Sequence, residues 1–131
     1  MAEILAVLPS SEQLRQLAQH TLSHGHSMIA ARNLDRARDI LKERKPDLVV
    51  APIDFQHGEI LGLLRSMKKD PQYQRTQFLL FAELDHMSLP NKERALKMAA
   101  RALGADRFVS FAHFEAAELW WQMAVILPDS R

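Results

Sequence analysis

Short continuous apolar runs alternate along the chain with stretches in which apolar residues recur every three or four positions. Ile4–Leu8 is one such run, the pattern of a strand buried on both faces. Pro9 ends it, Ser10 and Gln13 have the spacing of a capping box, and Leu14, Leu17, Ala18 and Leu22 follow at helical spacing up to a stop at Gly25. Met28–Ala31 reads as a second, weaker strand. Asn33 is a good N-cap, and Leu34, Ala37 and Leu41 form the stripe of a helix whose basic end (Lys42, Arg44, Lys45) suits the macrodipole. Leu48–Ala51, introduced by Pro46-Asp47, is the strongest strand. The stripe of Ile60, Leu63, Leu64 and Met67 follows and is broken at Asp70-Pro71. Gln77–Ala82 predicts a fourth buried strand, Leu96, Ala99, Ala100 and Leu103 a helix ending at Gly104, and Arg107–Ser110 a fifth strand. Leu119, Met123 and Ile126 face inward on a last helix that Pro128 ends. Glu83 to Asn91 carries no clear pattern.

Strand–helix alternation of this kind predicts one α/β domain spanning residues 1–131, a doubly wound parallel sheet with helices on both faces. The length agrees: 131 residues make one domain with a core of its own. The formal net charge of +1 excludes a dedicated nucleic-acid binder, which needs a basic excess. With no cysteine there are no disulfides and no thiolate metal sites, which fits a reducing compartment. Met1-Ala2-Glu3 lacks the basic start of a signal peptide, and no apolar run approaches the roughly 20 residues that cross a bilayer. A cytoplasmic location without membrane association is therefore expected.

Four pieces then stand in a telling order: Pro46-Asp47-Leu48-Val49-Val50, Leu63-Leu64-Arg65, Lys69-Asp70-Pro71 and Ala102-Leu103-Gly104-Ala105-Asp106. Together they resemble the receiver domain of two-component response regulators, and the resemblance covers nearly the whole chain. It implies a flavodoxin-like fold of five parallel strands in the order 2-1-3-4-5 with five helices. It also implies a functional crevice at the carboxyl ends of the central strands, where doubly wound sheets bind ligands. In that family an aspartate ending strand three accepts a phosphoryl group. Two acids after strand one hold Mg²⁺, and a Ser or Thr ending strand four and a Lys ending strand five read the phosphoryl oxygens. Metal and cation neutralise the charge that phosphoryl transfer spreads.

Counted without gaps between the flanking pieces, the acceptor position here is Pro52, which has no nucleophile. The acidic pair falls on Leu8 and Pro9, or on Pro9 and Ser10 if slipped by one, neither of which supplies a carboxylate; the Ser/Thr falls on Ala82 and the Lys on Phe111. The resemblance thus implies a degenerate receiver, a pseudo-receiver that cannot be phosphorylated in the family's manner. Asp54 and Glu83 are the carboxylates left near the crevice. They are either solvated loop acids or a relocated acceptor or metal ligand.

Other chemistry finds little support. His57, His86 and His113 follow strands three, four and five and could join Asp54 or Glu83 around zinc, but no ligand spacing backs this, and no metal is expected. His24 and His26 flank Gly25 and read as helix-end caps. Four glycines form neither G-x-G-x-x-G nor a P-loop, so no nucleotide cofactor is expected, and without a G-x-S-x-G elbow there is no hydrolase signature. The chain is not expected to be an enzyme.

Two surface features suggest contacts instead. Arg94, Lys97 and Arg101 share one face of helix four, either a solvated surface or a strip for an acidic partner. Trp120 and Trp121 lie about 100° apart on the last helix, so one should flank the core. The other, Trp121 beside Ala117 and Val125, should be partly exposed. Receiver domains often pair through helix four, strand five and helix five. The resemblance therefore implies a protein partner or homodimer contact through Arg94, Lys97, Arg101, Arg107, Trp120 and Trp121. The reading is a stand-alone signalling module acting by phosphorylation-independent protein–protein interaction, since nothing after the last helix offers an output domain. The alternative is a small-molecule sensor holding an apolar ligand in the vacated crevice of Leu8, Pro9, Pro52, Ala82 and Phe111.

Overall fold

The computed structural model describes residues 1–86 and 92–128, the side chain of His86 excepted. Five strands run β1 (Glu3–Val7), β2 (Ser27–Ala31), β3 (Leu48–Pro52), β4 (Gln77–Glu83) and β5 (Arg107–Phe111). They alternate with helices α1 (Ser11–Ser23), α2 (Leu34–Glu43), α3 (Ile60–Lys69), α4 (Lys92–Ala102) and α5 (Ala116–Ile126). The strands form a single parallel sheet in the order β2-β1-β3-β4-β5. This is the flavodoxin-like order that the resemblance implies. Each strand lies within about a residue of its predicted place, and β1 is shifted most visibly. It ends at Val7, but Leu8 still donates its N–H to the Ala31 carbonyl at 3.1 Å, so the ladder runs on past it.

Alternating side chains send each strand's residues to two layers. On one face, Val7, Ala51, Phe78 and Leu80 pack against Leu34, Ala37, Ile40 and Leu41 of α2 and Ile60, Leu63, Leu64 and Met67 of α3. On the other, Ile4, Ala6, Val50, Leu79 and Phe81 pack against Leu14 and Leu17 of α1 and Leu119, Trp120 and Met123 of α5. The central strand β3 is buried along its whole length, which is why it reads as an unbroken apolar run.

The helix ends follow the sequence signals. Ser10 Oγ accepts from the Gln13 N–H at 3.2 Å and Asn33 Oδ1 from the Arg36 N–H at 2.8 Å, satisfying donors that an uncapped helix start leaves unpaired. Gly25, after α1, has a φ of 82°, a left-handed turn that glycine makes without a Cβ clash. Among the described residues no helix is long and apolar enough to cross a membrane.

Candidate functional site

The carboxyl edge of the sheet is set by where each strand stops. β3 ends on Pro52 and β5 on Phe111, Ala82 is the penultimate residue of β4, and Leu8 and Pro9 directly follow β1. All five sequence-derived positions therefore come to the same edge. The register ties them together: Pro52 pairs with Phe81, Ala82 with Ser110, and Glu83 with Phe111.

Four of the five are buried. Leu8 and Ala82 are 0 % and 1 % exposed, Phe111 and Pro52 are also buried, and Pro9 lies at the surface. Leu8, Phe81 and Phe111 belong to the buried layer beneath α1 and α5, with Phe114 packed against it. The Phe81 ring lies 6.1 Å from that of Phe111 and 6.0 Å from that of Phe114, both tilted, an aromatic arrangement worth about 0.5–1.5 kcal/mol per pair beyond its buried area. Ala82 joins the opposite layer with Ala51, Ile53 and Phe55. Phe81 and Phe114 were not singled out from the sequence. The alternation of β4 puts Phe81 on the same face as Leu79, and that signal was available.

The carboxylates take different places. Asp54 is exposed in the loop after β3. Glu83 is half-buried at the end of β4, and its Oε2 accepts from the Phe114 N–H at 3.3 Å, which ties the loop before α5 to the end of β4. His113 sits above the same edge with its ring 3.7 Å from the Asp85 carboxylate and 4.0 Å from that of Glu115. Among the described residues no three His, Asp or Glu side chains converge as a metal site would require. His86, named in that context, has a side chain outside the described residues.

The loop between β3 and α3 is unusually shaped. Gln56, His57 and Gly58 have φ values of 47°, 58° and 88°, three successive left-handed residues of which only the last is glycine. Gln56 is held there by its own side chain: Oε1 accepts from the Leu34 N–H at the start of α2 at 2.7 Å. This fastening reaches across 22 residues and left no local mark in the sequence.

The surface residues divide into two groups. Trp120 is 2 % exposed and packs beneath α5, so it leaves the contact surface to which the sequence assigned it. Its neighbours Leu119 and Met123 define the inward face, and the ring needs that depth to bury its area. Its indole Nε1 has no hydrogen-bond partner among the described residues. Trp121 is 61 % exposed, as expected, together with Val125 one turn on. Trp121 does not, however, face strand five. The His24 ring at the end of α1 lies edge-on to it at 5.7 Å and stacks on Trp120 at 4.9 Å. The neighbouring residue Gln122 is the one that turns to β5, accepting from Arg107. Arg107 therefore groups with Lys97 and Arg101 around a cavity of about 290 Å³ between α4 and β5, while Trp121 belongs to the α1 side of α5. Arg94 is exposed on α4.

The histidines around Gly25 also separate. His24 caps its helix end through a 2.8 Å contact with the His20 carbonyl. His26 instead accepts from the Ala2 N–H through Nδ1 at 2.9 Å and lies against Trp120 at 5.5 Å. Burial pushes its pKa below the ordinary histidine value of 6.5, helped by the N-terminal ammonium and His24 and opposed by Asp47.

No family model and no curated protein matches the sequence. Solved structures do. A response regulator from Thermotoga maritima is 19 % identical, covers 96 % of this chain and 97 % of its own, and superimposes with a TM-score of 0.77. A chemotaxis response regulator of Vibrio cholerae is 18 % identical over 97 % of this chain and 99 % of its own, at 0.79. An orphan response regulator of H. pylori is 14 % identical over 95 % of this chain and 94 % of its own, at 0.75. At these identities the likeness is one of fold, and the fold is that of response-regulator receiver domains.

Proposed function

We propose that this chain is a receiver-fold signalling module that works by contact with a protein partner and carries out no phosphoryl transfer or other reaction of its own. The observation that carries the reading is Pro52, the buried last residue of β3, standing where a receiver needs its acceptor. A pyrrolidine ring offers no oxygen to phosphorus. The residues around it support the same conclusion. Leu8, Ala82 and Phe111 are buried among apolar neighbours, and a charged phosphoryl–metal group placed there would lose its hydration without a cation or hydroxyl to replace it. The packing of Phe81 against both Phe111 and Phe114 favours a closed edge over an apolar ligand site. The absence of cysteine fits work in the cytoplasm.

Asp54, exposed two residues past Pro52, is the more open of the two carboxylates near this edge that could still accept phosphorus, since Glu83 is half-buried and holds the Phe114 N–H. Intact-mass spectrometry after incubation with a small acyl phosphate and Mg²⁺ tests the reading. The expected spectrum is unchanged. A gain of one phosphoryl mass that disappears in Asp54→Asn would sink the proposal and make Asp54 a relocated acceptor.

A further inference from the structure

We infer that two copies of this chain pair through their β2 edges, antiparallel and about a two-fold axis at Ile29. The contact joins identical chains and needs neither Pro52 nor a foreign partner, so it stands or falls apart from the reading above. β2 closes one side of the sheet, with β1 as its neighbour. Ser27 donates its N–H to the Ala2 carbonyl at 3.0 Å and the Ala31 carbonyl accepts from Leu8 at 3.1 Å, so residues 27, 29 and 31 turn their main-chain groups to β1. Met28 and Ala30 point theirs away from the sheet, and among the described residues nothing pairs with them there. An open edge is ordinarily blunted by a charge, a proline or a bulge. Ser27-Met28-Ile29-Ala30-Ala31 has no charge and no proline, and its register with β1 runs without a bulge. β5, at the opposite edge, opens with Arg107.

The flank of this edge selects the occupant. Ile29 packs against the layer beneath α2, and a cavity of about 540 Å³ lies beside it, lined also by Arg36, Ile40 and Glu43 of α2. Other charges there are matched within the chain: Lys42 meets Asp39 at 3.6 Å and Arg44 meets Glu3 at 2.6 Å. Arg36 and Glu43 are exposed and have no ion partner among the described residues. They stand about two turns apart on one face of α2, with Ile40 between them. The strip thus has a positive end and a negative end.

A strip of this kind is complementary to its own reverse. A two-fold axis at Ile29, perpendicular to the sheet, sets Met28 opposite Ala30 of the other copy, and the two residues exchange N–H···O=C bonds in both directions. It sets Ile29 opposite its own counterpart in the close, non-hydrogen-bonded position. The same operation keeps both α2 helices on one side of the extended sheet and runs them antiparallel. Arg36 of each copy then faces Glu43 of the other across the joined cavities. A foreign strand meets the same main-chain groups without the charges in reversed order, which a second copy carries by construction. One copy uses up the edge of the other, so the assembly closes at a dimer.

Sedimentation velocity of the full chain from about 10 μM to about 1 mM, with amide hydrogen exchange at both ends of the series, tests this. The wild type should pass from monomer to dimer, and the Met28 and Ala30 amides should gain protection as it does. Arg36→Glu and Glu43→Arg each bring like charges together at both symmetry-related contacts, and each should weaken dimerisation about tenfold or more. The double variant should recover the wild-type affinity, and the two single variants mixed should form a heterodimer. The substitutions put an acid in the first turn of α2 and a base in its last, which suits the helix dipole, so the fold is kept. Trp121→Glu, on α5, should dimerise as the wild type does. A chain that stays monomeric at the highest concentration overturns the inference. So does a dimer that is indifferent to both charge reversals, that is abolished by Trp121→Glu, or that protects amides other than those of β2.

Discussion

His26 shows how one side chain can couple the start of the chain to the packing of α5. To accept from the Ala2 N–H its Nδ1 must carry no proton, and its ring lies against Trp120. Its pKa is lowered in the folded chain, chiefly by burial. The unfolded chain therefore binds a proton at His26 more readily than the folded one. The resulting stability is fully present above the ordinary value of 6.5 and is lost as the pH falls from there toward the lower folded value. His26→Asn keeps an acceptor at the Nδ1 position and removes the titration. Urea midpoints measured from about pH 7.5 to about pH 5.5 should fall more steeply for the wild type than for the variant. Parallel profiles would assign the loss to other groups. The sequence offered only a pair of histidines around a glycine, and both read as caps. His24 does cap. His26 is drawn instead to a backbone 24 residues away, a contact that no local pattern encodes.

Two aspartates do at the level of elements what His26 does at one point. Asp47 immediately precedes β3, and its Oδ2 accepts from the Glu3 N–H at 2.8 Å, at the start of the neighbouring β1. Asp106 immediately precedes β5 and serves Phe78, near the start of the neighbouring β4, in the same way at 2.7 Å. Each strand entry thereby seals a donor in the first two residues of the strand beside it and fixes the register from the amino end. Asp47→Ala and Asp106→Ala should each cost about 1–3 kcal/mol, because a part-buried N–H loses its acceptor and, at Asp106, Lys68 also loses its carboxylate partner. The two sites share no partner, so the double variant should cost close to the sum. Chemical denaturation of the two single variants and the double gives all three figures, and a single loss below about 0.5 kcal/mol would mean that water replaces the carboxylate. In the sequence, Pro46-Asp47 and Ala105-Asp106 were visible as landmarks before strands. The elements and their order were legible because apolar runs and stripes are local signals. The reason for the aspartates was not, since their partners lie 44 and 28 residues away.

Across the whole molecule, the carboxyl edge was legible to the extent that it depends on where strands end. Pro52, Leu8, Ala82 and Phe111 could be placed by counting, and they do share one edge. What counting could not supply was the filling: Phe81 on β4 meets Phe111 at the end of β5 and Phe114 in the loop before α5. Nor could it say that the two tryptophans part company, Trp120 into the core and Trp121 toward α1. The edge behaves as a packed end of the core, and that has a consequence for any attempt to restore the receiver chemistry. Pro52→Asp returns a carboxylate to the end of β3. The carboxylate would arrive beside Phe81, with Leu8 and Phe111 where a metal-binding acid and a lysine would be needed. Without a counter-charge it is a buried, unpaired acid, costing about 2 kcal/mol or more and tending to stay protonated, the form that does not attack phosphorus. The variant should therefore melt below the wild type and show no phosphoryl mass with an acyl phosphate and Mg²⁺. Efficient labelling of position 52 from that single change would mean that the edge still holds a working charge environment. The proposed inability to accept phosphorus would then rest on Pro52 alone and not on the edge as a whole.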